Sequence, residues 1–417
     1  MAIPFPVVKW FVRSGVARWL PSVRRRLGPS AAALRYVSDR WLATPFDQLL
    51  AAAEFWQADA PDAIDLALGA PRLDLAPSGA AKLPNGLRGY PPFEGLPELR
   101  ALIAGDTGHD VLITAGATGA FHTILDTYLN PGDRVVLFDP SSPLFSLSLR
   151  QRRARLRWVP TKVEGGVTKF AMEPFTKALA NAKMLVVANP ANPTGAPFAA
   201  DDLEQIAYWC SKSGVLVVND ESFIRYRDDS APTDLPMAKG RTLTIGSMSK
   251  GHGLAAARVG WVRGDTAFVK PCMLAATLAK PFVPTPMQTL AAAAIKLGDA
   301  SFAPVRDEMT SKRRYAFERL KAVGLEPAWP SGGFTLWTPV SSLGMTGREF
   351  AEELLKTKRV LVTPGDVYGP CGAGFVRVSC AIDDGRLREG LSRLAEFVGE
   401  RSRRSASGVP ETTAAAA

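Results

Sequence analysis

The sequence predicts an α/β protein: a large domain with a mostly parallel central sheet flanked by helices, followed by a smaller α+β domain. Three observations carry this. Between about residues 111 and 300, short apolar runs alternate with amphipathic helical stretches, the order expected of a parallel sheet. Runs such as MLVVA (184–188) and VLVV (215–218) lack in/out alternation, as strands buried on both faces do. From about residue 301 the texture changes to a charged helix, short strands and a final helix.

In chain order, residues 1–60 read as a basic extension, with a helical stretch at 43–57. Residues 64–68 lead into the turn Gly69-Ala70-Pro71, where glycine and proline break any regular element. The segment 96–104 (LPELRALIA) repeats apolar residues at helical spacing. Strands are expected at 111–114, 134–139, 184–188, 215–219, 242–246 and 258–262, with helices at 118–129, 200–211 and 285–296 between them. The large domain then spans 61–300. The small domain, 301–402, has helices at 305–322 and 384–400 and strands near 333–338 and 375–380. The tail 403–417 is poor in bulky apolar residues, ends in four alanines and reads as disordered.

Composition narrows the function classes. With 417 residues, 47% hydrophobic and 22% charged, the chain has ample material for a core and is not disordered throughout. Its four cysteines (Cys210, Cys272, Cys371, Cys380) form no CxxC pair and read as reduced, structural thiols of a cytoplasmic protein. None of the three histidines, His109, His122 and His252, is at metal-ligand spacing to another, so no metal site is expected. The net charge is +10, but residues 1–40 hold eight basic side chains against the single acid Asp39. The excess therefore belongs to the extension and not to a basic groove, and no nucleic-acid partner is expected. Three readings of the extension stay open: an arm packed on the body or on a partner subunit, a membrane-surface helix, and a targeting peptide. Lys9 and Arg13 interrupt the apolar run that a secretory signal needs. No stretch of about 18 uncharged apolar residues appears, so no membrane-spanning helix is expected.

The chemistry collects at strand ends. Asn189-Pro190-Ala191-Asn192-Pro193-Thr194-Gly195 follows a buried strand, and its prolines and glycine make a rigid loop able to present Asn192 as a hydrogen-bond donor. Asp220 emerges where the next strand ends. Ser247-Met248-Ser249-Lys250 follows another, with Arg258 eight residues after the lysine. Together these supply an amine nucleophile (Lys250), a buried acid (Asp220), an amide (Asn192) and a hydroxyl–guanidinium pair (Ser247, Arg258) suited to a phosphate. Thr114-Ala115-Gly116-Ala117-Thr118-Gly119 joins a strand to a helix, whose unpaired first amides form an anion site.

At this point the sequence resembles the pyridoxal-phosphate enzymes of aspartate-aminotransferase fold (fold type I), in the class I/II aminotransferase branch. NPANPTG, DESF, SMSK with Arg258, and Val376-Arg377-Val378-Ser379 occur in the family's order, over about residues 60–400. The resemblance implies a fold in which the segment beginning at 61 also contributes to the small domain. It implies transamination between an amino acid and a 2-oxo acid, with pyridoxal 5'-phosphate as cofactor. Lys250 would form the Schiff base and shuttle the proton. Asp220 would pair with the ring nitrogen, and Asn192 with the ring's phenolic oxygen. Ser247, Arg258 and the turn Gly116-Ala117-Thr118 would hold the phosphate. Arg377 would grip the substrate α-carboxylate, with Asn192 and Gly69 nearby. Tyr90, five residues before Gly95, matches a tyrosine that reaches the neighbouring subunit's phosphate, and so implies a homodimer. The segment 281–288 (PFVPTPMQ) resembles another that approaches the partner's site.

Two positions depart from the family pattern. Phe223 stands where a tyrosine usually donates to the phenolic oxygen, and Ser142 where an aromatic ring often stacks on the cofactor, leaving Phe145 or another ring to replace it. They keep open a decarboxylase, cyclase or oxidase reading on the same cofactor. A transcriptional regulator binding the cofactor is a more distant alternative, because prolines at 4, 6, 21 and 29 break the extension that would read DNA. Among the remaining candidates, His252 reads as a satisfied loop histidine and His122 as a core position. Arg150, Arg152, Arg153, Arg155 and Arg157 read as a solvated face, and Arg225 and Arg227 as exposed loop charges.

Overall fold

The computed structural model describes residues 62–67, 90–228, 241–279 and 282–407. The expected helix at 43–57, the basic extension and the turn with Gly69 lie outside these residues. From Ile64 onward the chain forms one compact unit, within which a large sheet and a smaller α+β assembly have separate cores.

The large sheet holds eight strands among the described residues, in the order β2-β9-β8-β7-β6-β3-β4-β5. These are β2 (Asp110–Thr114), β3 (Arg134–Asp139), β4 (Arg155–Glu164), β5 (Val167–Phe170), β6 (Met184–Ala188), β7 (Leu216–Asp220), β8 (Thr242–Ser247) and β9 (Gly260–Gly264); β1 (Ile64–Asp65) lies elsewhere. Strands β4, β3, β6, β7 and β8 run parallel, while β9 is antiparallel to its neighbours β8 and β2, and β5 to β4.

Its central strands are buried on both faces, as their unbroken apolar runs predict. Val135, Leu137, Met184, Val186 and Val218 join one core, under α2 (Gly116–Tyr128), with α1 (Pro97–Ala104) preceding it in the chain. Their neighbours Val136, Phe138, Leu185, Val187 and Val217 join the core on the opposite face. That face is covered by α4 (Met172–Leu179) and α5 (Ala200–Ser213), with α3 (Pro143–Gln151) on the first face. The strand expected at 258–262 begins two residues later, because Arg258 itself occupies a left-handed turn (φ 55°).

Strands β4 and β5 and helices α3 and α4 were not among the expected elements. In β4 charged and apolar residues interleave, and Val159 alone is fully buried, so no apolar run marks it. It carries part of the arginine cluster. Arg150, Arg153 and Arg155 are exposed as expected, but two members have partners. Arg152 pairs with Asp126 at 2.5 Å, and Arg157 donates to the carbonyls of Lys177, Ala178 and Ala180 at the end of α4.

After α6 (Thr266–Ala279) and α7 (Thr285–Lys296), helix α8 (Ala303–Ala322) opens the smaller assembly. An antiparallel sheet of β10 (Thr335–Pro339), β13 (Phe375–Ser379) and β12 (Thr363–Pro364) packs there with α9 (Gly347–Lys358) and α10 (Asp384–Ser407). β1 pairs in parallel with β11 (Val360–Leu361), and Ile64 and Leu66 enter this core. Helix α10 runs seven residues past its expected end, into the segment expected to be a disordered tail. No described helix is long and apolar enough to cross a membrane.

Candidate active site

Parallel strands place their carboxyl ends at one edge, and register aligns the ends that matter here. Ala188 of β6 pairs with Asp220 of β7, which pairs with Ile245 of β8, two residues before Ser247. Beyond these ends lies a cavity of about 260 Å³, lined by Thr118, Asn192, Asp220, Ser247, Lys250 and Arg258 among others. Residues read separately from five stretches of sequence therefore meet in one place.

The loop carrying Asn192 is fastened from both sides. The Asn189 amide donates to the Asp220 carbonyl at 3.0 Å, and Asn189 Oδ1 accepts from the Phe198 amide at 3.0 Å. Thr335 of β10 donates its hydroxyl to the Pro193 carbonyl at 2.7 Å. Gly195 has φ 74°, and a Cβ there would meet the Gly332 carbonyl at 2.8 Å, so only glycine fits. Arg377 Nη1 donates to Asn192 Oδ1 at 2.9 Å, and its Nη2 to the Ala67 carbonyl. With Oδ1 committed to a guanidinium, Asn192 presents its NH₂ as donor to the cavity it lines.

Asp220 sits at the floor. The Ser222 amide and hydroxyl both donate to its Oδ1, at 2.9 and 2.5 Å. Burial pushes its carboxyl above the usual range, and the two Ser222 hydrogen bonds oppose that only in part. A cationic N–H beside this acid would offset the burial.

Lys250 stands on the turn after β8. Its backbone is held by Tyr226, whose hydroxyl donates to the Lys250 carbonyl at 3.0 Å, and by Arg225, which donates to the Gly251 carbonyl at 2.8 Å. Burial, and then the positive charges of Arg377 and Arg258, lower the Lys250 amine to about 8. Arg225 is thus half-buried and structural, also pairing with Asp299 at 3.4 Å and lying over the Phe302 ring, where an exposed charge was expected.

At the far end, the start of α2 brings the Ala117 and Thr118 amides to the cavity beside Ser247, Ser249 and Arg258. Arg258 Nη1 is steadied by the Ala255 carbonyl at 3.1 Å. Gly116 has φ 72°, and a Cβ on it would come within 2.6 Å of Arg258 Nη2. This is a polar cradle for a dianion: helix amides, two hydroxyls and a guanidinium. An acid that wants an N–H⁺ at one end and an anion cradle at the other fit a pyridoxal phosphate between them, with the Lys250 amine and Asn192 donor in reach of the cavity.

Of the expected site residues, Gly116, Ala117, Thr118, Asn192, Asp220, Ser247, Lys250 and Arg258 gather here, and Arg377 joins them through Asn192. Tyr90 does not: it is 87% exposed and stacks on Phe282 at 5.0 Å. Gly69 is outside the described residues. Phe223 lines the cavity and packs on Phe334 at 4.7 Å, so no phenol stands there. Ser142 also lines it, but Phe145 cannot supply the missing ring, being fully buried against Phe121. Leu144 lines the wall instead. His252 is not satisfied as expected: its buried Nδ1 has no partner, and burial followed by the charge of Arg225 lowers it to about 4. His122 is half-buried and shares a 2.8 Å hydrogen bond with Ser148. Ser222 and Ser249 were missed. The signal for Ser222 was its place two residues after an acid, the spacing of a side chain folded back onto its neighbour.

Known proteins resemble this chain over most of its length. The family model for aminotransferase class I and II matches residues 61–394. An aspartate aminotransferase from Pyrococcus abyssi is 28% identical over 365 residues, covering 82% of this chain and 92% of that protein. An arginine–pyruvate transaminase from Pseudomonas aeruginosa is 28% identical over 295 residues, or 68% and 74% of the two chains. The crystal structure of an aromatic aminotransferase from Pyrococcus horikoshii superposes with a TM-score of 0.76 at 27% identity, covering 84% of this chain and 99% of that one. The three names span acidic, basic and aromatic donors, so likeness fixes the reaction and not the side chain. With the family model spanning most of the chain and a cofactor-shaped site at its strand ends, the protein belongs to the class I and II aminotransferases, pyridoxal-phosphate-dependent enzymes of aspartate-aminotransferase fold.

Proposed function

We propose that this aminotransferase moves an amino group between an amino acid and a 2-oxo acid at the Lys250 cavity, with each residue in the following role. Lys250 would hold the cofactor through its amine, and its Nζ would take the substrate α-proton and return it. Asp220, seated on Ser222, would hold the ring nitrogen in its protonated form, and the Asn192 NH₂ would donate to the ring oxygen. The amides of Ala117 and Thr118, with Gly116 leaving room, join Ser247, Ser249 and Arg258 in holding the phosphate. Arg377, bonded to Asn192, would grip the α-carboxylate and so decide which bond at the substrate Cα is aligned to break. When bound, the cofactor supplies the electron sink for the pair left at that carbon. An amine titrating near 8 is about one-tenth neutral at pH 7, enough to act as a base.

The observation carrying this is the convergence of Lys250, Asp220, Asn192 and Arg258 on one cavity, with Arg377 bonded to Asn192. The same reading makes the enzyme a cytoplasmic homodimer. Its four cysteines are free, and exposed Tyr90 and Phe93 stack with half-buried Phe282 in an aromatic cluster suited to a second copy.

The test is the absorption spectrum of wild type and Lys250→Ala with pyridoxal phosphate, before and after addition of amino acids. Wild type alone should show the band of the lysine-linked cofactor, and an effective amino acid should convert it to the pyridoxamine form. Release of CO₂ or peroxide in place of a keto acid would instead favour the decarboxylase, cyclase or oxidase chemistry that Phe223 and Ser142 admit. Equal spectra for the two proteins would remove Lys250 from its role.

A further inference from the structure

One buried acid at this edge has no part in the chemistry above. Asp139 ends β3 and is 1% exposed, yet only one of its oxygens is engaged. Oδ2 accepts the Cys371 amide at 3.0 Å, whereas Oδ1 has no hydrogen-bond partner. Burying a carboxylate oxygen unpaired costs free energy, so the side chain is held there by what packs on it.

What packs on it is the pair of short 3-10 turns Gly365–Tyr368 and Pro370–Gly372, joined by Gly369. Gly369 has φ 145°, and a Cβ on it would lie 2.2 Å from Asp139 Oδ1. The carboxylate therefore occupies the place a side chain would take, and the turn is seated on it. A second tie lies beside the first: the Ser141 amide donates to the Tyr368 carbonyl at 2.8 Å. The end of β3 thus grips the chain on both sides of Gly369.

Tyr368 is the residue this grip presents. Its buried ring lies 5.3 Å from the Arg377 guanidinium carbon and meets Trp337 edge-on at 5.5 Å. Arg377 has hydrogen bonds through Nη1 and Nη2, but its buried Nε has none. The two hydrogen bonds hold the ends of the guanidinium and the ring lies against it beside them, and the plane they set together determines whether a carboxylate can be met by two parallel N–H groups.

We propose that Asp139 is a positioning residue for Arg377: it seats the Gly369 turn, the turn places the Tyr368 ring, and the ring sets the guanidinium for the substrate carboxylate. This rests on the reading of Arg377 as the carboxylate grip. The need is for an acceptor toward Cys371 and a flat group against Gly369, both of which an asparagine keeps and an alanine loses.

The test compares wild type, Asp139→Ala, Asp139→Asn and Gly369→Ala as cofactor-loaded full chains, in two readouts. The first is hydrogen exchange across 365–372. Asp139→Ala and Gly369→Ala should exchange faster there, including at the Cys371 amide, and Asp139→Asn should match wild type. In the second, each of the twenty standard L-amino acids is titrated and conversion of the cofactor band is followed. Asp139→Ala and Gly369→Ala should raise the half-saturating concentration about tenfold, with the limiting rate changed less than about threefold, and Asp139→Asn should restore it. Unchanged exchange in Asp139→Ala, a loss confined to the limiting rate, or an asparagine no better than alanine would each overturn the proposal. If wild type converts no amino acid, the role of Arg377 fails by itself, and exchange alone decides whether Asp139 holds the turn.

Discussion

Lys250 holds its proton less tightly than a solvated lysine, and the direction has consequences. Burial, Arg377 and Arg258 lower it to about 8 from an ordinary 10.5. Between those two values the unfolded chain binds the extra proton and the native chain does not, so stability rises with pH across that window. Below pH 8 the buried charge is a standing cost on the order of 3 kcal/mol, relieved as pH rises through 10.5. The functional side is that the amine becomes a nucleophile early. Capture of pyridoxal phosphate by the apoenzyme, followed by absorbance, should rise with a midpoint near 8, and Arg377→Gln should move that midpoint upward by removing a positive neighbour. A wild-type midpoint near that of free lysine would show that the cavity does not tune this amine. Much of this residue set was legible in sequence, because Asp220 and Ser247 end buried strands and Asn192 and Lys250 follow them, and a parallel sheet brings such ends together. Ser222 was not, since a serine beside an acid reads as a turn until its hydroxyl is seen on Oδ1. Nor was the Arg377–Asn192 bond, which joins residues 185 positions apart.

At the start of α2, backbone conformation and anion chemistry meet in a single glycine. Gly116 turns the chain with φ 72° and leaves room for the Arg258 guanidinium, while Gly260 lets β9 approach so closely that a Cβ would sit 2.3 Å from the Gly116 carbonyl carbon. Gly116→Ala should therefore act twice. It should lower stability by about 1 kcal/mol or more through strain at positive φ, read as a fall in Tm. It should also weaken pyridoxal phosphate binding by roughly tenfold through displacement of one charge-assisted donor, read by equilibrium titration. Unaltered affinity would mean that Arg258 can shift without leaving the phosphate. Elements were legible in proportion to how uniformly they are buried. β3, β6 and β7 gave unbroken apolar runs because helices cover both faces, β8 is buried throughout with threonines alternating with its leucine and isoleucine, and all four were expected within a residue or two. β4 lies toward the edge of the sheet, with exposed or half-buried residues at all positions but Val159, and its period could not be separated from that of a loop. The left-handed turn at Arg258 was hidden as well, since an arginine before an apolar run reads as the first residue of a strand.

At the scale of the whole molecule, Tyr90 tests whether one chain makes a complete site. It lies outside the cavity of its own chain, exposed and stacked on Phe282, which also stacks with Phe93 at 5.1 Å. Large apolar rings in contact and open to solvent are costly unless something covers them. A second copy would cover them in a two-fold arrangement, and each Tyr90 would then be free to serve the opposite cavity. Mixing two defective proteins decides between service in cis and in trans. Tyr90→Phe keeps Lys250 but lacks the hydroxyl, and Lys250→Ala keeps Tyr90 but lacks the amine. In a hybrid dimer with service in trans, the Tyr90→Phe chain supplies the amine while its partner supplies the hydroxyl, so one of the two sites is whole. Half of the randomly mixed dimers are hybrids, so activity at limiting cofactor should recover to about one quarter of wild type, well above either parent. Service in cis allows no recovery, because the Tyr90→Phe site stays defective whatever chain it pairs with. A monomer at assay concentration, seen by sedimentation, would remove the trans role altogether and leave the aromatic stack without the partner assigned to it.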